Sequence, residues 1–270
     1  MTRPRVVDSH VHIWRDAHPG RPYPWPAGPD PNTVDAMLAV LDSAGVDAAV
    51  QVTPSTVDFD NSYGLEAAAA HPDRFGVFGR FDLAAPDLRE RLEEWLAQPG
   101  ALGVRLTYLD APVDVEHAFW RVAEEVDARV AVFAPGRLEA VVRMLERHPR
   151  LRLVVDHLGL DVYADDPFRE QPLLAELAPF ERVTAKVSGL VETSREPFPF
   201  RDVHERLARA RETFGAGRLI WGSNYPVVLT SCGYAESLEF LWECDFLADG
   251  ELELLLAGSF ENWGRGASPS

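Results

Sequence analysis

Val7-Asp8-Ser9-His10-Val11-His12-Ile13 lies in the first of eight short apolar runs, 5–13, and how it is read sets the fold. Alternate residues of an extended strand share a face, so His10 and His12 point the same way. Seven similar runs follow at 47–53, 75–82, 101–108, 129–134, 151–157, 182–188 and 218–222. Between them lie stretches with helical spacing, at 33–44, 65–71, 88–96, 115–126, 138–148, 173–177, 203–214 and 234–242. In the first of these, Val34, Met37, Leu38 and Leu41 recur at helical intervals. Thr33 sits where an N-cap belongs and Gly45 just past the end. A ninth acidic and apolar stretch at 251–256 predicts one further helix.

Strands alternating with helices build a parallel sheet, and eight units favour closure into a (β/α)8 TIM barrel. The alternative, an open doubly wound sheet, lacks a glycine-rich phosphate loop after the first strand. The reading is a single domain over 1–265, with 266–270 as a frayed tail. The proline-rich segment 19–31 reads as a long loop after strand one, on the face where barrels build their sites.

Composition narrows the function. The chain has 270 residues, 46% of them hydrophobic, enough for a large core. A formal net charge of −17 with no compact basic stripe argues against nucleic acid as a partner. Two cysteines, Cys232 and Cys244, fit neither a metal finger nor a disulfide framework. No basic leader precedes an apolar run, and no stretch of about 18 apolar residues occurs. The expectation is a cytoplasmic protein with no membrane partner. Homo-oligomerisation is left open.

Three segments carry chemistry. The His10-Val11-His12 pair suits a divalent metal as well as it suits two ordinary polar histidines. Val154-Val155-Asp156-His157-Leu158-Gly159 puts an imidazole at the end of strand six, with Asp156 expected on the opposite side of the strand. Ile220-Trp221-Gly222-Ser223-Asn224-Tyr225-Pro226 lets a polar side chain project over the mouth after strand eight. Ser9 and Ser223 lack a nucleophile-elbow glycine pattern.

In this order the three segments resemble the amidohydrolase-related family that includes L-fuconolactonase-like and pyrone-dicarboxylate-lactonase-like enzymes. Tyr23-Pro24-Trp25, Asp60-Asn61-Ser62-Tyr63, Gly103-Val104-Arg105, Lys186-Val187-Ser188-Gly189 and Ser259-Phe260-Glu261-Asn262 also resemble family segments. The resemblance implies hydrolysis of a lactone or related cyclic ester or amide by water attack on a carbonyl. Its catalytic set matches His10, His12 and His157. The fourth member is usually an aspartate on strand eight, and here it is Asn224. Asparagine cannot be a general base, though it can orient water or donate a hydrogen bond.

Two mechanisms stay open. In one, His10, His12 and His157 hold a single Zn²⁺ or other divalent ion. In the other no metal is used and the histidines polarise the carbonyl. Decarboxylation or hydration is an alternative on the same barrel, as is a non-hydrolytic cyclase, isomerase or binding protein. Arg105, Lys186, Trp14, Trp25 and Tyr225 are candidate substrate-binding residues. Leu160 stands where the family often carries a basic residue, which predicts a small-molecule substrate that is neutral or weakly anionic.

Overall fold

A computed structural model describes residues 3–15, 31–109, 111–162 and 164–265. Segment 16–30, including Trp25, and the tail 266–270 lie outside the described residues.

Eight parallel strands lie in one sheet in sequence order. They are β1 (Val7–Val11), β2 (Ala48–Val52), β3 (Phe75–Arg80), β4 (Ala101–Thr107), β5 (Arg129–Phe133), β6 (Arg152–Val155), β7 (Val183–Val187) and β8 (Leu219–Trp221). The ends meet just beyond β8. His12 N–H donates to Tyr225 O at 2.8 Å, and Asn224 N–H donates to His10 O at 2.9 Å. The sheet is thus a (β/α)8 barrel, closed through the segment that follows β8.

The helices are α1 (Val34–Ala44), α2 (Ser62–Ala70), α3 (Leu88–Leu96), α4 (Ala118–Glu125), α5 (Leu138–Arg147), α6 (Leu174–Leu177), α7 (Arg201–Phe214), α8 (Tyr234–Glu239), α9 (Asp249–Glu253) and α10 (Ser259–Arg265). Local signals set their ends. Thr33 Oγ1 accepts from Ala36 N–H, and Gly45 closes α1 at φ 68°, a left-handed geometry that suits glycine. In α5 the residues Leu138, Val141, Val142 and Leu145 form the buried stripe against the sheet. Each such fully buried leucine contributes roughly 1.5–3 kcal/mol of burial free energy.

A second, smaller core fills the barrel. Val50, Val52, Phe78, Ala131, Val154 and Ile220 meet there, and Phe260 and Trp263 of α10 pack against them. Trp263 stacks on Phe78 with ring centroids 5.8 Å apart. The C-terminal helix therefore covers the barrel end opposite the strand C-termini, leaving the other end for chemistry.

Two sequence expectations changed. The run at 251–256 is split between α9 and a single π turn, Leu254–Gly258, that leads into α10. The run at 151–157 ends as a strand at Val155, and Asp156–Gly159 forms a tight turn. His157, Leu158 and Gly159 there have φ of 55°, 52° and 67°. Alternation no longer applies beyond Val155, so Asp156 does not point away from the site as the strand pattern predicts.

Candidate active site

β1 presents its two histidines as the alternation requires. Their Nε2 atoms stand 3.3 Å apart. Both side chains are buried, and the His157 ring centroid lies 4.9 Å from that of His10. Asp8 ties the ends of β1 and β8 together. Its Oδ1 accepts from the His10 and Ser223 N–H groups at 3.0 and 2.9 Å, and Tyr234 Oη–H donates to Oδ2 at 2.9 Å. Gly222 makes this approach sterically feasible, because a Cβ there would stand 2.9 Å from His10 Cβ.

Behind the histidines lies a buried charge cluster centred on Asp156. Lys186 Nζ is 2.8 Å from Oδ1, Arg105 Nε is 3.3 Å from Oδ2, and His10 Nδ1 is 3.8 Å from Oδ1. Burial pushes the Asp156 carboxyl up, but Lys186, His10 and Arg105 together hold it well below the usual carboxylate range. Burial also pulls Lys186 down, opposed by Asp156. Arg105 lies over the Phe133 ring, 5.2 Å from its centroid.

The turn after β6 swings His157 to the mouth. Ser188 Oγ is 2.8 Å from its Nδ1, and the Phe133 ring meets it edge-on. Gly189, at φ 67°, makes room, since a Cβ there would stand 3.0 Å from the His157 Cβ, Cγ and Nδ1 atoms. Gly189→Ala is expected to cost about 1–2 kcal/mol from the left-handed backbone alone. It should also displace the imidazole, so urea unfolding and kcat should both fall. Unchanged kcat would mean that the position of His157 is unimportant.

Burial keeps the three imidazoles neutral: His10 lies well below its ordinary value, His12 falls to about 3 and His157 to about 4. The His10–His12 spacing by itself suits either a shared proton or a shared ion. Two imidazole nitrogens on tetrahedral zinc at about 2.05 Å also stand roughly 3.3 Å apart. His12 Nδ1–H donates to Val52 O at 2.7 Å, which leaves its Nε2 as an acceptor. His10 Nδ1 lies 3.3 Å from Lys186 Nζ and 3.8 Å from Asp156 Oδ1. Among the described residues no three His, Cys, Asp or Glu side chains are arranged to hold a metal. The His10–His12 spacing nevertheless matches two ligands of one ion, so His10, His12 and His157 remain the candidate donors for a single divalent metal.

A cavity of about 350 Å³ opens at this end of the barrel. His12, His157, Arg105, Asn224 and Glu192 line it, with hydroxyls from Ser55, Thr107, Thr230 and Ser231 and apolar walls from Leu109, Phe133, Val162 and Val227. His10 stands behind His12, off the wall. Of the expected substrate-binding residues, Arg105 is on the wall. Lys186, Trp14 and Tyr225 are buried at 2%, 2% and 4% exposure and are not among the lining residues.

Two residues were missed at the sequence level. Asp156 was set aside by strand alternation. Glu192 carries no motif. Its one signal is its place in the loop after β7, three residues past Gly189.

The chain belongs to the amidohydrolase family, whose model matches residues 7–258. An L-fucono-1,5-lactonase from Burkholderia ambifaria is 28% identical over 262 residues, covering 90% of this chain and 88% of that protein. A 4-sulfomuconolactone hydrolase from Rhizobium radiobacter is 25% identical, covering 81% and 75% respectively. Among solved structures, an amidohydrolase from Burkholderia multivorans with bound zinc is 27% identical. It superposes with a TM-score of 0.78, covering 95% of this chain and 97% of that one.

Proposed function

We propose that this barrel hydrolyses a compact, uncharged lactone, opening the ring by addition of water to its carbonyl. The observation that carries the reading is the shared wall of Arg105, His12 and His157 on a cavity of about 350 Å³. That volume lies within the usual range for small-molecule sites. The relatives named for lactone hydrolysis, similar over most of this chain, support the reaction class.

Arg105 stays charged at any working pH and faces the cavity beside His157. A lactone carbonyl oxygen placed between them gains negative charge as water adds, and a fixed cation is more useful there than to the ground state. Asp156 and the Phe133 ring hold the guanidinium in place, so it need not reorganise during the reaction. Ser188 holds Nδ1 of His157 and leaves its other ring nitrogen for the cavity. His12, whose Nδ1–H donates to Val52 O, is fixed on the wall with His10 behind it. The hydroxyls of Ser55, Thr107, Thr230 and Ser231 suit hydroxyl groups on the ring. One cation against an acidic chain does not suit a dicarboxylate.

The test is a panel of neutral and carboxylated five- and six-membered lactones, assayed before and after dialysis against a chelator, with metal content measured. Turnover of neutral lactones that survives removal of metal is the expected result. Activity that vanishes with the chelator and returns with zinc would sink the metal-free reading. Preference for a dicarboxylate would sink the substrate class.

A further inference from the structure

We propose that Glu192 is the general base of this site, a carboxylate on the loop after β7 that replaces the one missing from the end of β8. The inference rests on the lactone-hydrolase reading.

Asn224 follows β8 at φ 61°, and its side chain points to a neighbour: Nδ2–H donates to Glu192 Oε1 at 2.9 Å. Both residues line the catalytic cavity. The other carboxylate oxygen, Glu192 Oε2, is buried and has no hydrogen-bond partner among the described residues. A buried carboxylate oxygen with nothing to accept from costs on the order of 1–3 kcal/mol, and such a group calls for an explanation. A water molecule or a substrate hydroxyl in the cavity would supply one. Asn224 thus orients the carboxylate by one oxygen and leaves the second free to take a proton.

The surroundings suit a base working near neutrality. Burial pushes the Glu192 carboxyl up to about 7, against the lowering effect of the Asn224 hydrogen bond. The groups facing it from neighbouring elements do not compete for the proton. His12 and His157 stay neutral down to about 3 and 4. The Cys232 thiol, ahead of α8, is pushed up to about 12 by burial and stays neutral. The turn at Val227–Thr230, which packs against the Glu192 loop, carries no titratable side chain. Arg105 is the cation among the lining residues.

The step balances without a co-reactant. Glu192 Oε2 takes one proton from water as the water oxygen bonds to the carbonyl carbon, and the carbonyl π pair moves onto its oxygen beside Arg105. The tetrahedral adduct collapses by breaking the ring C–O bond. The leaving ring oxygen takes the proton back from Glu192, and the product is an open-chain hydroxy acid. An acid with its pKa near the working pH serves both halves of this cycle.

Asn224 acquires a specific role. An aspartate at 224 would set two carboxylates about one hydrogen bond apart, and they could not both ionise at neutral pH. Restoring the usual family residue should therefore harm this enzyme.

The experiment measures kcat/KM against pH for wild type, Glu192→Gln, Glu192→Asp and Asn224→Asp, on the best lactone of the panel, with circular dichroism melts as the folding control. Wild type should lose activity as pH falls through about 7, along a one-proton limb. Glu192→Gln should lose about 10²–10⁴-fold and flatten that limb. Glu192→Asp, with its carboxylate drawn back by one methylene, should recover part of the rate. Asn224→Asp should move the limb upward by about a pH unit or more. A folded Glu192→Gln enzyme that keeps its rate and its pH limb overturns the assignment, while the lactonase reading stands. So does an Asn224→Asp variant that gains activity at pH 7, which serves as the test if Glu192→Gln does not fold. No turnover of any lactone by wild type overturns the hydrolase reading, and the base assignment with it.

Discussion

Asp156→Ala is expected to lower the unfolding free energy by about 3–5 kcal/mol, measured by urea denaturation. The carboxylate is fully buried and stands 2.8 Å from Lys186 and 3.3 Å from Arg105, which are 2% and 6% exposed. Removing it strands two cations inside the barrel. A surface pair would be worth at most about 1 kcal/mol, because water and salt screen it. Here the cost comes from the desolvation of the partners left behind, so the loss should be only weakly sensitive to salt. Lys186 is expected to shed its proton in the variant, which caps the penalty. Adding Lys186→Met to Asp156→Ala removes one of the stranded charges and should recover part of the loss. A double variant no more stable than Asp156→Ala would mean that the cavity left by the carboxylate, rather than charge, dominates. The carboxyl is held well below its ordinary value, so its contribution is present at neutral pH and disappears only as pH falls through that depressed value.

The second large effect concerns rate. On the proposed reading, Arg105→Ala should lower kcat by about 10²–10³-fold, the usual consequence of removing one donor to a developing oxyanion. Arg105→Lys should recover little, because an ammonium on a flexible stem cannot keep the guanidinium's pose against Asp156 and the Phe133 ring. The split between kcat and KM decides the role. A charge that matters as the carbonyl becomes an oxyanion moves kcat. One that only holds the substrate moves KM and leaves kcat alone. A pure KM effect would make Arg105 a binding residue and remove it from the chemistry.

Much of the fold is legible in the chain because barrel strands and helices are specified by local patterns. All eight strand runs are strands, and Thr33 and Gly45 end α1 where their chemistry requires. The His10/His12 alternation depends on period two alone and holds in the structure. The same rule fails four residues past the start of β6. Three consecutive left-handed residues turn the chain there, and nothing in Asp156-His157-Leu158 reveals such a backbone.

The sequence by itself determined the barrel, the end of it that carries the histidines, and the family. Each of these depends on residues close together in the chain or on the order of short motifs. Only the tertiary structure decided which charges meet. Asp156, Lys186 and Arg105 come from three different strand ends and form one buried cluster. That cluster faces His10 Nδ1 with both an amine and a carboxylate. It also brought Glu192, from the loop after β7, to the side chain of Asn224. Electrostatic work falls off over a few ångströms in space, without regard to distance along the chain, so no spacing rule could have paired those two residues.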